Sequence, residues 1–199
     1  KYGGVIKSLL KKNNIDSSNI LIKNNESTIS KNRLLVDRFH QVCRVDIDTI
    51  KIREDDLDKI YDNFNKNINL VDYVIISDYG KGVCDKKLLT KIIKLSNEMG
   101  IYIYIDPKGS DYTKYYGSTC LTPNEKEAQK VVPFEINDKS VLKAAKWIRN
   151  EFNLDFSLIT RGPKGMALSI KGKECLIDAN AMIDVFDVSG AGDTVISVL

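Results

Sequence analysis

The strongest chemical signal in the sequence is the glycine-rich segment Gly190-Ala191-Gly192-Asp193, which directly precedes a predicted helix. The first amides of a helix lack intrahelical partners, and glycine lets a backbone approach an anion closely. Gly190, Ala191 and Gly192 could therefore hold a transferring phosphoryl group, while Asp193 takes a proton from an attacking hydroxyl. The alternative is that Asp193 only stabilises the helix N-terminus, and the spacing alone favours neither interpretation.

A second candidate is the segment 160–165, which follows a predicted strand and has the pattern T-x-G-x-x-G. Thr160 supplies a hydroxyl, Arg161 and Lys164 supply two cations, and Gly162 and Gly165 leave the backbone open. That combination suits the phosphates of a nucleotide. A simple hairpin turn explains the same residues equally well.

Asn124 and Glu127 form a third candidate at the start of another predicted helix, where residues three apart share a face. Glu127 could hold Mg²⁺ through water, and Asn124 could contact a phosphate or the same ion. The alternative is a capping box, in which Asn124 caps the helix and Glu127 bonds back to it.

Other familiar chemistries find little support in the sequence. The phosphate-binding and dinucleotide-binding motifs of other nucleotide enzymes, G-x-x-x-x-G-K-[ST] and G-x-G-x-x-G, do not match these glycines. His40 is the single histidine, which leaves no basis for a catalytic triad. The cysteines lack the close pairs of a zinc site and are expected to be reduced thiols: Cys43, Cys84, Cys120 and Cys175.

The elements that must position these residues alternate between strand and helix from residue 55 onwards. Short apolar runs predict buried strands, and apolar residues at helical spacing predict the intervening helices. The predicted strands are 73–76, 101–105, 120–121, 157–160, 166–170, 174–177 and 185–188, and the predicted helices are 55–67, 85–98, 124–131 and 138–151. This alternation indicates a mostly parallel α/β sheet with helices on both faces, and ligands bind at the carboxyl ends of such strands.

The first part of the chain does not show that alternation of strands and helices. A helix is expected over residues 4–12, and two alternating segments, 28–37 and 41–46, predict a two-stranded β ribbon. We expect the ribbon to be a small β element appended to the sheet.

Composition excludes several classes of protein. The chain has 199 residues, 43% of them hydrophobic, and 30 basic against 27 acidic side chains give a net charge of +3. Such an apolar fraction is too high for a disordered chain, and the lysines are scattered, which disfavours nucleic-acid binding. No run approaches the roughly 18 apolar residues of a membrane span, and no signal peptide opens the sequence. We therefore expect a cytoplasmic protein that binds neither nucleic acid nor membrane.

The candidate segments together resemble one family. Residues 187–194, D-V-S-G-A-G-D-T, look like the C-terminal signature of the ribokinase-like (PfkB) carbohydrate kinases. Asn124-x-x-Glu127 and the 160–165 pattern are similar to two further motifs of that family, in the same order. Residues 77–82 and 106–109 resemble the heptose 7-phosphate kinase branch. That kinase is often the first half of a bifunctional kinase/adenylyltransferase that makes ADP-heptose for lipopolysaccharide.

The resemblance implies a Rossmann-like three-layer ribokinase fold with a β lid at 28–48, and ATP with Mg²⁺ as cofactors. It implies transfer of phosphate to the anomeric hydroxyl of heptose 7-phosphate. In that reaction Asp193 would be the base, and the 190–192 amides would be the anion hole. The resemblance also implies a homodimer formed through the lid. Four cations are candidates for the sugar phosphate: Arg38, Arg44, Lys81 and Lys108.

The resemblance also implies that residues 1–199 are one partial kinase domain, with an N-terminal sugar-binding strand and a C-terminal part outside the sequence given. Two alternatives stay open. One is a related sugar kinase with another acceptor, and the other is a non-catalytic module that binds a nucleotide or dimerises through the ribbon.

Overall fold

A computed structural model describes residues 2–23, 26–36, 40–47, 51–179 and 190–199. The chain divides into two compact units, residues 1–63 and 64–199. Arg38 and the predicted strand 185–188 lie outside the described residues. Within the described part, none of the helices is both long and apolar enough to cross a membrane.

The first unit contains the β ribbon. Its elements are α1 (Tyr2–Lys12), β1 (Ser30–Val36), β2 (His40–Ile47) and most of α2 (Glu54–Asn67). β1 and β2 pair antiparallel, with Ser30 opposite Ile47 and an irregularity at Leu34/Leu35. The predicted two-stranded ribbon is confirmed.

The second unit is built on a six-stranded sheet within the described residues, in the order β3-β4-β5-β6-β7-β8. β3 to β6 run parallel, and β7 and β8 are antiparallel to their neighbours. The strands are β3 (Tyr73–Ser77), β4 (Tyr102–Asp106), β5 (Cys120–Leu121), β6 (Phe156–Thr160), β7 (Met166–Ile170) and β8 (Lys173–Ile177). The helices are α3 (Lys86–Glu98), α4 (Glu125–Ala128), α5 (Val141–Glu151) and α6 (Ala191–Ser197), with 3₁₀ turns at Ile68–Leu70, Thr113–Tyr115 and Gly162–Lys164.

Alternation along the strands gives the sheet two apolar faces. Ile103 and Ile105 of β4 belong to the larger core, which includes the buried sides of α3 and α5. Tyr104, between them, lies on the opposite face in a smaller cluster with Leu158 and with Ile196 of α6. Helices therefore cover both faces, and the predicted α/β fold class is confirmed.

The predicted helix 124–131 is wrong at its end, because α4 stops at Ala128. The side chain of Gln129 accepts from the backbone N–H of Ile136 and donates to the carbonyl of Phe134. These bonds stabilise a turn where the sequence alone suggested a further helical turn.

The parallel strands end level with one another. Ser77 pairs with Asp106 at the ends of β3 and β4, and Asn124 forms an isolated parallel bridge with Thr160. The candidate segments that follow these strands therefore share one edge of the sheet, as the sequence predicted.

Candidate active site

Asn124 and Glu127 form the capping box that was one of the two interpretations. Asn124 Oδ1 accepts from the Glu127 N–H at 3.0 Å, and Glu127 Oε2 accepts from the Asn124 N–H at 3.1 Å. Glu127 is buried, and its other oxygen, Oε1, accepts from Nζ of Lys108 at 2.8 Å. That bond raises the pKa of Lys108. Because only Oε2 takes part in the capping box, Oε1 of Glu127 is available to Lys108 in the loop that follows β4.

Asp106, the last residue of β4, is the acid that the sequence analysis did not select. Its pKa is raised to about 6, chiefly by burial and in addition by the nearby carboxylates of Glu127 and Asp193. A Cβ built on Gly192 would lie 3.7 Å from Asp106 Oδ2. The first turn of α6 therefore lies against the end of β4. A sequence signal existed, since Asp106 directly follows a buried strand in the same way as the selected residues do.

The start of α6 depends on Gly190, which has a left-handed backbone with φ of 79°. Its carbonyl accepts from both the backbone N–H and the hydroxyl of Thr194, each at 2.9 Å. Ile196 buries the helix against the sheet, while Ala191, Gly192 and Asp193 stay exposed. The structure thus places Asp193 and the preceding amides at the edge of the sheet with Asp106 and Glu127.

The segment 160–165 is the tight connection between β6 and the antiparallel β7, so the hairpin interpretation is confirmed. The Arg161 N–H donates to the Gly165 carbonyl at 2.9 Å, and the Gly165 N–H to the Gly162 carbonyl at 3.1 Å. Thr160 also donates its N–H to the Pro123 carbonyl at 2.9 Å, next to Asn124. A turn of this kind still presents its hydroxyl and glycines beside α4.

Arg161 connects the 160–165 turn to Glu125 and Asp138, and these contacts could not be predicted from the sequence. Its guanidinium is almost fully buried, with Nε 2.9 Å from Glu125 Oε1 of α4 and Nη2 bonded to Asp138. Lys164 also contacts Asp138, at 2.8 Å. A buried arginine between two acids from different elements fixes the turn relative to α4.

The four candidate cations for the sugar phosphate lie in different places. Lys108 contacts Glu127, and Lys81 lies partly buried in the loop after β3. Arg44 is in β2 of the first unit, with Nε 3.0 Å from Asp46 Oδ1. Arg38 is outside the described residues.

The acidic side chains at this edge of the sheet limit how a metal ion could be held. Within the described residues, no three His, Cys, Asp or Glu side chains are grouped closely enough to enclose a metal by themselves. Mg²⁺ usually keeps several waters and takes only one or two carboxylates together with substrate phosphates. The charges of Glu127 and Asp193 add to the effect of burial in raising the pKa of Asp106, so negative charge is concentrated at this edge of the sheet. Asp106 and Glu127 therefore fit a hydrated Mg²⁺ ion, whereas an all-protein metal cage does not fit.

The chain matches known proteins along nearly all of its length. The sequence profile described as pfkB family carbohydrate kinase matches residues 1–199. The chain is similar to the bifunctional protein HldE of Aliarcobacter butzleri, with 42% identity over 194 residues that cover 96% of this chain and 40% of that protein. It is also similar to the bifunctional protein HldE of Campylobacter fetus, with 38% identity covering 99% of this chain and 42% of that protein. The chain thus spans about two fifths of the length of these relatives.

Among solved structures, the fold is similar to that of phosphofructokinase-2 from Escherichia coli in complex with fructose-6-phosphate. The TM-score is 0.71 with 20% sequence identity, and the match covers 96% of this chain and 63% of that one. At this identity the likeness concerns the fold alone.

Proposed function

The chain belongs to the pfkB family of carbohydrate kinases, and we propose that it transfers the γ-phosphoryl group of ATP to the anomeric hydroxyl of heptose 7-phosphate. One observation carries the proposal: the first turn of α6 lies against Asp106, beside the Lys108–Glu127 pair. A candidate base, a cation and two further carboxylates at the edge of the sheet where the strand-end loops meet support this chemistry.

The choice of heptose 7-phosphate is supported by the branch-specific segments 77–82 and 106–109 and by the identity of 42% and 38% with two HldE proteins. Both relatives are named as bifunctional proteins, and this chain covers about two fifths of each. We therefore propose that the chain is the kinase half of a bifunctional protein that produces ADP-heptose for lipopolysaccharide.

Asp193 has the role of general base in the proposed reaction. Its carboxylate accepts the proton of the anomeric hydroxyl as that oxygen forms a bond to the γ-phosphorus. The bond between the γ-phosphorus and the bridging oxygen breaks, ADP leaves with the electron pair, and heptose 1,7-bisphosphate remains. Asp193 then releases its proton to water. The amides of residues 190–192 would face the charge that spreads over the phosphoryl oxygens.

The remaining residues hold and orient the reactants. Thr160, Gly162 and Gly165 would line the nucleotide phosphates, with Asn124 beside them. Asp106 and Glu127 would hold Mg²⁺, which when bound neutralises negative charge on the phosphates. Lys108 keeps Glu127 in place through their 2.8 Å contact.

The sugar phosphate needs cations of its own. Lys81, in the loop after β3, remains a proposed contact for the 7-phosphate, because a phosphate dianion is recognised by charge-assisted hydrogen bonds. Exclusion of water from the bound sugar would limit hydrolysis of ATP.

We also propose that two copies of the chain associate through the β ribbon. The ribbon exposes a set of apolar side chains that a second ribbon could cover: Leu34, Leu35, Val36, Val42, Val45 and Ile47. Light scattering after size exclusion tests this. Leu35→Lys is expected to give monomers, and the control Leu176→Lys, also exposed but on β8, is expected to leave the dimer intact. A dimer that survives Leu35→Lys contradicts the ribbon interface.

The function is tested with the full-length protein in an assay that couples ADP release to absorbance, across a panel of sugar phosphates, with ATP binding measured by calorimetry. The expected result is turnover that is highest with heptose 7-phosphate and depends on Mg²⁺. Faster turnover of a hexose phosphate contradicts the proposed acceptor. ATP binding without turnover of any acceptor contradicts a kinase and favours a nucleotide-binding module.

A further inference from the structure

A buried hydrogen-bond network joins the ends of β3 and β4 beneath the candidate active site. The Tyr115 hydroxyl donates to Asp78 Oδ2 at 2.7 Å and accepts from the backbone N–H of Lys108 at 3.0 Å. Lys114 Nζ lies 2.6 Å from the same oxygen of Asp78. The Asp78 N–H in turn donates to the Asp106 carbonyl at 3.0 Å. One hydroxyl thus connects an acid after β3 to the corner after β4.

The acid in this network is a firmly held acceptor. Asp78 is 5% exposed and Tyr115 is fully buried. Burial raises the pKa of Asp78, but hydrogen bonds from Lys114, the Gly80 N–H and Tyr115 outweigh it and lower that pKa overall. Asp78 is therefore ionised at neutral pH, and bonds to an ionised, buried acceptor are strong. The position of the Tyr115 oxygen is fixed accordingly.

The loop after β4 also carries Lys108, whose side chain contacts Glu127. Tyr115 holds Lys108 by its backbone, and Pro107 before it is fully buried. From that anchored backbone the Lys108 side chain extends to Glu127 Oε1 at 2.8 Å. Loss of the Tyr115 hydroxyl would free the Lys108 amide and loosen the cation that holds Glu127.

We propose that Tyr115 is a positioning residue for phosphoryl transfer, which acts through Lys108 on Glu127. The inference rests on the proposed function of Glu127 in that reaction. Tyr115 itself does not contact the reactants, since its hydroxyl is buried and occupied by protein groups.

A neighbouring tyrosine provides a matched control. Tyr112 is 1% exposed, and its ring meets that of Tyr115 edge-on with centroids 5.5 Å apart. Its hydroxyl has no hydrogen-bond partner among the described residues. Phenylalanine at position 112 therefore removes a buried hydroxyl without removing a bond, whereas phenylalanine at position 115 removes the bonds to Asp78 and Lys108.

The test compares Tyr115→Phe, Tyr112→Phe, Lys108→Met and the double variant Tyr115→Phe/Lys108→Met in the full-length protein. Tyr115→Phe is expected to lower kcat with heptose 7-phosphate roughly tenfold, the cost of one bond to a charged acceptor, with KM for ATP changed less than about twofold. Tyr112→Phe is expected to stay within about twofold of wild type, because its hydroxyl has no hydrogen-bond partner in the described part of the chain. In the Lys108→Met background, Tyr115→Phe is expected to add little, which is the signature of a shared route.

Amide hydrogen exchange supplies a readout independent of turnover. The Lys108 N–H is expected to be protected in wild type and in Tyr112→Phe, and to exchange faster in Tyr115→Phe. Asp78→Asn, which removes the charge but keeps the shape, is expected to reproduce that faster exchange if Tyr115→Phe does not fold. Unchanged exchange in Tyr115→Phe, or fully additive losses in the double variant, overturns the inference. Absence of turnover in wild type overturns the proposed function instead, and exchange then still decides whether Tyr115 positions Lys108.

Discussion

The ammonium group of Lys108 lies 2.8 Å from Oε1 of Glu127, which joins the corner after β4 to the first turn of α4. Glu127 Oε2 is already bonded to the Asn124 N–H. The carboxylate is thus held at both oxygens, one by its own helix and one by a neighbouring strand end. Its charge and its capping role can be separated experimentally, because glutamine can also complete a capping box.

Glu127→Gln is expected to retain the fold and to impair the reaction. The free energy of unfolding should change by less than about 1 kcal/mol, since a partly exposed ion pair contributes little. The Mg²⁺ concentration at half-maximal rate should rise and kcat should fall at least roughly tenfold, because one proposed ligand loses its charge. Titration of the initial rate with Mg²⁺ measures this. Glu98→Gln, in the exposed Lys94–Glu98 pair of α3, is the control. An unchanged Mg²⁺ concentration at half-maximal rate would contradict the proposed role of Glu127 in holding Mg²⁺.

Asp193→Asn is expected to lower kcat by about 10²- to 10⁴-fold, the usual contribution of a general base. ATP binding should remain within about threefold of wild type, because the base acts on the acceptor hydroxyl. Single-turnover rates and calorimetry with an ATP analogue measure the two effects. Asp155→Asn, exposed just before β6 at the opposite end of the sheet, is the control. Near-normal turnover of Asp193→Asn rules out the proposed base.

Gly165→Ala is expected to destabilise the protein by about 2–4 kcal/mol, through left-handed strain and a steric clash. Gly165 has φ of +78°, and a Cβ there would clash with the carbonyl oxygen of Ile177. Gly172 is a matched control, with φ of +81° and no described atom within 4 Å of its Cβ. Gly172→Ala should cost only about 1–2 kcal/mol from backbone strain. Urea unfolding measures the free energy of unfolding of both variants. Equal losses would contradict the additional steric cost expected at Gly165.

Asp106→Asn is expected to change the pH dependence of stability. The pKa of Asp106 is raised from 3.8 to about 6 by burial and by Glu127 and Asp193. Between these values the folded protein binds more protons than the unfolded chain, so this carboxyl lowers stability as pH rises. Asparagine removes the effect, and the variant should gain stability over wild type from pH 4 to pH 7.

Urea unfolding at several pH values between 4 and 8 measures that gain, with Asp155→Asn as the exposed control. If the free energies of unfolding of wild type and Asp106→Asn differ by the same amount at every pH, the raised pKa of Asp106 is contradicted. The same variant is expected to lose activity, because the proposed Mg²⁺ site keeps only one of its two carboxylates.

Most of the sheet could be predicted from the sequence, because buried parallel strands leave short apolar runs and amphipathic helices separate them. Tyr102–Asp106 and Phe156–Thr160 lie within one residue of their predicted bounds. The Asn124–Glu127 capping box was also predictable, since it depends only on a spacing of three residues. The extent of α4 was not, because the turn that follows it is stabilised by bonds from the Gln129 side chain to residues five and seven positions further on.

The sequence by itself determined the family, the strand-end segments and the local capping chemistry, since each depends on residues close together in the chain. Only the tertiary structure decided which of those residues meet. Lys108 contacts Glu127 across 19 residues, and Tyr115 contacts Asp78 across 37. Such pairs depend on the order in which the parallel strands lie side by side, and no periodicity reports that order. The raised pKa of Asp106 has the same origin, because burial and neighbouring carboxylates exist only once the strands, α4 and α6 have packed together.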